Sequence, residues 1–380
     1  MRRLVALDLP GDEAFVVALR RALDAGDAVF PVDQRLPAPA KARLFDALRP
    51  AAVVEVRGVE TGLGGSRPVE EGDAFVVATS GTTGEPRGVV LTRAAVAASA
   101  ATSSRRLGVE PARDKWLCCL PPSHVGGLGV VTRALATGTP LEVQPSFDVD
   151  AVKAAARRGA TLVSLVPAVC ARLGNGAALF RTVVLGGGPI PRNRPQNAVA
   201  TYGMTETGSG VVYDGWPLDG VEVRIDPDGE IALRGPMLLR AYRPGGDPKD
   251  DAGWFQTGDA GALTPEGELQ VFGRMAEVIR TGGEMVWPVA VEAVLRTHPD
   301  VAEVAVVGVP DPEWGERVVA VVEADAAHPP TLAELRELVR AELGPVAAPK
   351  ELRLVGALPR TTVGKIRRDA TREMAGDAGT

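Results

Sequence analysis

Between residues 28 and 185 the sequence keeps switching its apolar period. Short apolar runs at Ala28–Val32, Ala51–Val56, Ala74–Ala78, Lys115–Leu120, Pro140–Val143, Thr161–Val166 and Arg181–Leu185 read as strands. Between them, apolar residues three and four apart mark helices at Ala38–Leu48, Arg93–Arg106, Gly126–Ala136, Val149–Arg158 behind the cap Asp148, and Pro167–Leu173. Residues 13–25 open the chain in the same way, with Phe15, Val16, Leu19 and Leu23 on one face and Gly26 as the stop. A strand joins a parallel neighbour only through a crossover, and a helix is the compact crossover. The alternation therefore imposes α/β architecture, with parallel-rich sheets faced by helices. Ligands in such sheets sit beyond the carboxyl ends of the strands.

The pattern changes near residue 210. Val221–Ile225, Glu230–Arg234 and Leu269–Phe272 are short strands separated by Asp-Pro-Asp-Gly and Pro-Glu-Gly turns, which predicts a small antiparallel sheet. After Gly273 a second mixed segment begins, with helices at Ala290–Thr297 and Leu332–Leu343 and strands at Val304–Val309, Arg317–Val322 and Leu352–Val355. Thr331 and Glu334 are spaced as a capping box for the second of these helices. A terminal helix is expected from Lys365. The domains read as residues 1–273, a hinge at 274–277, and a smaller α+β domain at 278–380.

A formal net charge of −6 argues against general nucleic-acid binding. No run of apolar residues is long enough to span a membrane, and the opening Met1-Arg2-Arg3 leads only to a short apolar stretch broken by Asp8 and Pro10. Cys118 and Cys119 lie adjacent in an apolar run, and Cys170 stands apart. That usage fits buried free thiols in a reducing compartment, so the expected location is cytoplasmic, without membrane insertion.

The stretch Thr79–Val89 reads Thr-Ser-Gly-Thr-Thr-Gly-Glu-Pro-Arg-Gly-Val, between the strand at Ala74–Ala78 and the helix opening at Thr92. Thr79, Ser80, Thr82 and Thr83 supply hydroxyls, Gly81 and Gly84 let a ligand approach the backbone, and Arg87 adds a permanent charge. Successive N–H groups and hydroxyls of this kind suit a phosphate chain. No Gly-Lys-Ser/Thr closes the loop, so it is not a Walker motif. Two further loops follow strand ends. One carries Pro121-Pro122-Ser123-His124, the other Gly186-Gly187-Gly188. Arg133 interrupts the otherwise apolar Val130–Ala136, and an inward-pointing guanidinium there would need a carboxylate.

These segments together resemble the adenylate-forming superfamily of acyl-CoA synthetases, peptide-synthetase adenylation domains and luciferases. The resemblance makes the Thr79–Gly84 loop with Arg87 the phosphate grip and places Gly186, Gly187 and Gly188 near the base. It places His124, in Pro-x-x-His-x-x-Gly, at the border of the acyl pocket. In Thr201-Tyr202-Gly203-Met204-Thr205-Glu206 it implies that Tyr202 stacks on adenine beside Gly203. Thr205 would touch the α-phosphate and Glu206 would help hold magnesium, a hard cation that offsets phosphate charge. In Trp254-Phe255-Gln256-Thr257-Gly258-Asp259 it makes Asp259 the ribose reader, and Arg274 opens the hinge. Pro359-Arg360-Thr361-Thr362-Val363-Gly364-Lys365 resembles the catalytic-lysine loop, where Lys365 would bridge the carboxylate and the α-phosphate on a mobile domain.

Within the superfamily the chain is most similar to the o-succinylbenzoate–CoA ligases of menaquinone synthesis. The likeness extends to Trp116–Pro121, Leu162–Pro167 and Val211–Gly220. It implies ATP, Mg²⁺ and coenzyme A as reactants, small-molecule partners only, and Arg133 as the partner of a substrate carboxylate. Ser164 and Gly203 join His124 and Arg133 as substrate-binding candidates, and assembly as a homodimer is left open. The chain departs from the family pattern at Arg87, where lysine is usual, and at Ala276, where the hinge usually carries aspartate. The connection Pro189–Ala200 is also too short for the helix expected there. Other readings stay open at this level. One is a ligase for another aryl or fatty acid, or an adenylation domain serving a carrier protein. The other is a nucleotide-binding pseudoenzyme with a regulatory role.

Overall fold

The computed structural model describes residues 2–56, 58–80, 86–191, 193–324, 328–360 and 366–376. Gly81–Gly84 of the threonine-rich loop and Lys365 lie outside the described residues. The chain divides into two compact units. One comprises Met1–Arg224, Ala232–Gln256 and Pro265–Leu269, and the other Ile225–Ile231, Thr257–Thr264 and Gln270–Thr380.

The first unit holds two seven-stranded sheets. In spatial order the first runs Ala241–Arg243, Pro86–Thr92, Asp73–Ser80, Ala28–Pro31, Leu4–Asp8, Ala52–Glu55, Glu60–Gly62. Its centre is parallel and its edges antiparallel. Glu13–Asp24 packs Phe15, Leu19 and Ala22 inward, and Asp12 caps its first turn by accepting from the amides of Ala14 and Phe15. Ala38–Leu48 buries Leu44 and Leu48 beside Leu4, Phe30 and Val76. Burying each such large apolar side chain contributes about 1.5–3 kcal/mol.

The second sheet runs Trp216–Pro217, Ser209–Tyr213, Ala198–Met204, Thr182–Leu185, Leu162–Leu165, Trp116–Cys118, Leu141–Val143. From Ala198–Met204 onward all its strands are parallel, as the alternation requires. Val125–Thr137, Val149–Arg157 and Pro167–Leu173 serve as crossovers, and the apolar faces of the last two close over Leu117, Val163 and Val183.

Two stretches differ from their sequence expectation. The threonine-rich loop does not run straight into a helix. Pro86–Thr92 intervenes as a strand antiparallel to Asp73–Ser80, with Thr79 opposite Arg87, and only then does Thr92 cap Arg93–Arg106. The run Val89-Val90-Leu91 carries this strand, and it is buried throughout. The segment Ala198–Tyr213, given no strand in the sequence reading, is an antiparallel pair, Ala198–Met204 and Ser209–Tyr213. Among the described residues from Pro189 to Asn197 there is no helix, so the short connection leads directly into a parallel strand.

Glu222–Ile225, Glu230–Arg234, Phe255–Leu263 and Leu269–Arg274 form a four-stranded sheet. The second unit also contains a five-stranded sheet centred on the long pair Val301–Asp311 and Gly315–Ala324, with Glu351–Val355 parallel alongside. Pro288–Leu295 and Leu332–Leu343 pack Val291, Leu295, Leu335 and Val339 against one face. The capping box of Thr331 and Glu334 is present in both directions. The last described helix, Arg368–Gly376, starts after the lysine segment and buries Ala375 with Val307 and Val319. Among the described residues no helix is long and apolar enough to cross a membrane.

Candidate active site

In the first unit three candidate segments lie at the carboxyl ends of parallel strands of the second sheet, while Thr79, Ser80 and Arg87 belong to the first sheet. His124 follows Trp116–Cys118, and Gly186–Gly188 follow Thr182–Leu185. Tyr202 and Gly203 lie at the end of Ala198–Met204. Ser164 is buried in Leu162–Leu165, opposite Val184. Two glycines are required by close approach. A Cβ on Gly203 would collide with the Ser209 carbonyl oxygen across the strand pair, and one on Gly186 with the Thr201 hydroxyl. The glycine loop is thereby held against Thr201, and the Tyr202 strand against Ser209.

Thr205 and Glu206 stand in a single turn of 3₁₀ helix, Thr205–Thr207, fixed by Thr207. The Thr207 hydroxyl accepts from the Met204 amide at 2.9 Å and donates to the Ser209 carbonyl at 2.6 Å. The Glu206 carbonyl accepts from the Leu239 amide at 2.7 Å, and Glu206 Oε1 accepts from the Tyr242 hydroxyl at 3.0 Å. Tyr242 lies on the edge strand beside Pro86–Thr92, opposite Val89, and the Arg87 guanidinium stands 5.7 Å from its ring centroid. Tyr242 therefore joins the phosphate-loop arginine to the metal-ligand candidate. Sequence reasoning missed it, because an isolated tyrosine in Leu-Leu-Arg-Ala-Tyr-Arg-Pro carries no signal of its own.

Among the described residues no group of three or more histidine, cysteine or acidic side chains could hold a metal ion. Magnesium does not require such a group. It commonly takes one or two protein carboxylates and completes its shell with water and phosphate oxygens. Glu206, with one oxygen on Tyr242, is a single carboxylate of that kind.

His124 precedes the helix Val125–Thr137 and is exposed. Its Nε2 stands 3.2 Å from Asp33 Oδ2 and 3.0 Å from Arg35 Nη2. Asp33 is buried and accepts from Arg35 at both oxygens, from Nε at 2.9 Å and Nη2 at 2.7 Å. Burial pushes the Asp33 carboxyl up, but its hydrogen bonds to His124 and Arg35 outweigh burial and hold it well below the usual carboxylate range. Neither Asp33 nor Arg35 was legible as a site residue in the sequence.

Nine residues beyond His124, Arg133 points inward and is 1% exposed. Its guanidinium lies 5.1 Å from the Trp116 ring centroid, and Nη1 donates to the Ser209 hydroxyl at 3.2 Å. Its Nε is buried without a hydrogen-bond partner, as is Trp116 Nε1, and among the described residues no carboxylate pairs with it. Cys118 and Cys119 are free and buried nearby in sequence, and burial pushes both thiols up to about 12. Burial also raises Cys170. None of the three is set up as a nucleophile.

In the second unit Asp259 is buried, and its Oδ1 pairs with Arg274 Nε at 3.0 Å. Arg274 Nη1 also donates to the Thr257 carbonyl at 3.0 Å, and the Gly258 amide donates to Glu230 at 2.7 Å. The structure thus brings together Asp259, the expected ribose reader, and Arg274, the expected hinge residue.

Residues 64–243 match the family model of the AMP-binding enzymes, and residues 290–365 that of the AMP-binding enzyme C-terminal domain. The probable 2-succinylbenzoate–CoA ligase of Mycobacterium tuberculosis is 43% identical over 368 residues, covering 90% of this chain and 95% of that protein. The 2-succinylbenzoate–CoA ligase of Listeria monocytogenes is 36% identical over 328 residues, covering 79% and 70%. Among solved structures, the Bacillus subtilis o-succinylbenzoate CoA synthetase in complex with the acyl-adenylate intermediate OSB-AMP superposes with a TM-score of 0.86. It is 26% identical, and the match covers 98% of this chain and 89% of that one. The amide bond synthetase of Marinactinospora thermotolerans gives 0.84 at 28% identity, covering 98% and 90%. The chain belongs to the AMP-binding enzymes, in the family of the 2-succinylbenzoate–CoA ligases.

Proposed function

We propose that this enzyme joins o-succinylbenzoate to coenzyme A in two steps at the expense of ATP. In the first, the succinyl carboxylate attacks the α-phosphorus of ATP, forming the acyl-adenylate and releasing diphosphate. In the second, the coenzyme A thiol attacks the acyl carbon, forming the thioester and releasing AMP. This is a step of menaquinone synthesis, carried out in the cytoplasm.

The observation that carries the choice of acid is Arg133. A buried guanidinium with an unpaired Nε and, among the described residues, no carboxylate in reach is costly unless an anion completes it. o-Succinylbenzoate has two carboxylates, one activated and one left over, and the second completes Arg133. The Ser209 hydroxyl ties Arg133 to the strand pair that carries Tyr202, Gly203 and Glu206, so the acid and nucleotide ends share one support.

The residues divide the work as follows. Thr79, Ser80, Gly81, Thr82, Thr83, Gly84 and Arg87 grip the phosphates, and Gly186–Gly188 with Tyr202 take the adenine. Asp259 accepts from the ribose hydroxyls, held by Arg274. Thr205 contacts the α-phosphate. Magnesium, when bound, offsets phosphate charge, and Glu206 with Tyr242 behind it is the carboxylate to hold it. Lys365 neutralises charge between the attacking carboxylate and the α-phosphate, and the domain from about Ala276 onward turns between half-reactions. His124 and Ser164 border the acyl group. Support for this assignment comes from the position of each residue in its motif and from the three first-unit segments at the strand ends.

Pyrophosphate exchange over a panel of carboxylic acids is the test. Exchange is expected with o-succinylbenzoate and not with benzoate or succinate, and equal exchange with all three would defeat the choice of acid. Lys365→Ala is expected to slow adenylate formation about 10²–10³-fold while sparing thioester formation from supplied acyl-adenylate. Equal loss in both half-reactions would remove the two-conformation scheme.

A further inference from the structure

His124 Nε2 lies within reach of a donor and an acceptor at once. Arg35 Nη2 is 3.0 Å away and Asp33 Oδ2 is 3.2 Å away. One ring nitrogen cannot serve both, because it either carries a proton or presents a lone pair. Arg35 is a donor at every relevant pH, since its guanidinium is not deprotonated in proteins. Asp33 is already supplied with three donors by Arg35, the backbone amide at 3.0 Å, Nε at 2.9 Å and Nη2 at 2.7 Å. The imidazole contact to Asp33 is the longest of the set. A neutral ring with its proton on Nε2 would set that N–H against the guanidinium. With its proton on Nδ1 it accepts from Arg35 and leaves the Asp33–Arg35 pair intact. In the charged ring both nitrogens are donors, and Nε2 turns to Asp33. In either state Nδ1 carries a proton.

We propose that Asp33 and Arg35 are positioning residues that fix His124 as a permanent Nδ1–H donor, aimed at an oxygen of the acyl substrate. The second half of this statement rests on the reading of His124 as a border of the acyl pocket. The first half rests only on the three side chains. Both lie in the first unit, and the positioning pair comes from the Asp-Gln-Arg segment just after the strand Ala28–Pro31, far from the motif that carries the histidine.

The chain contains three histidines, so the ring nitrogens of the full-length protein can be resolved by ¹⁵N NMR, with His124 assigned by its loss in His124→Gln. The wild type is expected to show His124 with Nδ1 protonated and Nε2 bare at a pH where the ring is neutral. Arg35→Met is expected to shift it to the Nε2-protonated form, and Arg35→Lys to restore the original. Asp33→Asn leaves the donor but loosens its anchor, so it weakens the Nδ1 preference without reversing it. It also serves should Arg35→Met not fold. The same variants are read kinetically. Loss of one hydrogen bond to the acid raises its KM about tenfold in Arg35→Met, with kcat less affected and recovery in Arg35→Lys. A wild-type ring protonated on Nε2 alone would overturn the proposal. The expected tautomer with an unmoved KM would overturn its substrate half while the ligase reading stands. If wild-type exchange showed no dependence on the acid, both the ligase reading and the substrate half would fall, and the NMR would still decide the tautomer.

Discussion

Two arginines sunk into helices of different units face opposite surroundings. Arg368, at the start of the terminal helix, meets Glu292 through Nη1 at 2.5 Å and Nη2 at 3.0 Å, Glu277 through Nε at 2.8 Å, and the Val306 carbonyl at 2.9 Å. Arg133, in the Val125–Thr137 helix, has a hydroxyl, an aromatic face and an idle Nε. A third case guards against a careless rule. Arg243 also pairs with no carboxylate among the described residues, yet its donors reach the carbonyls of Leu48, Arg49, Arg67 and Pro68. Burial lowers it to about 10, a cation whose needs are met by backbone alone. A buried arginine that the fold needs for itself is thus supplied by the fold, with anions or with carbonyls. Arg133, left with an idle donor, is the one that the proposed function completes with a substrate carboxylate.

Replacement by methionine, of similar length and no charge, breaks this comparison most directly. Arg368→Met takes the two-pronged partner from the buried Glu292 carboxylate, leaving it Arg296 at 3.5 Å and the Val306 amide, and is expected to cost about 3–5 kcal/mol of stability by urea denaturation. Arg133→Met strands nothing. Stability is expected to stay level or rise, while affinity for o-succinylbenzoate falls by about 2–5 kcal/mol, read by calorimetric titration. A large loss of stability with unchanged acid binding would make Arg133 a structural cation like Arg368.

Tyr242→Phe removes one hydrogen bond to a carboxylate and leaves packing intact. Its expected effect is about 1.5–3 kcal/mol, seen as a higher magnesium requirement for pyrophosphate exchange. No change in that requirement would detach Tyr242 from the nucleotide end. The smallest effect concerns Asp33. Its folded pKa is depressed, so the stability it contributes is present above the ordinary carboxylate value and is lost as pH falls from about 4 towards the folded value. Asp33→Asn is therefore expected to lower stability in the neutral region and to flatten the acid limb of a stability-versus-pH curve, the two curves converging as pH falls. An unchanged acid limb would refute the linkage.

The comparison also marks what the sequence could and could not reveal. Alanine content placed Arg93–Arg106, and periodicity placed the crossover helices Ala38–Leu48 and Pro167–Leu173 at their observed bounds. It missed Pro86–Thr92 and Ala198–Met204, where glycines at 88 and 203 interrupt the apolar run for the sake of close packing. Arg133 was legible as an oddity, a charge within an apolar helix. Its lack of a partner was not, since pairing depends on which distant residues the sheets bring near. Tyr242, Asp33 and Arg35 lay hidden for the same reason. Each acts through a residue more than thirty positions away in the chain.

The buried cysteines gain a meaning from the chemistry around them. A catalyst that manufactures acyl-adenylates and thioesters handles reagents able to acylate any exposed thiolate, including its own. With Cys118 and Cys119 enclosed and their thiols raised to about 12, the protein offers its own product no competing sulfur nucleophile there. The apolar packing that shelters these thiols thus doubles as protection against self-acylation, and keeps the activated acyl group for the incoming coenzyme.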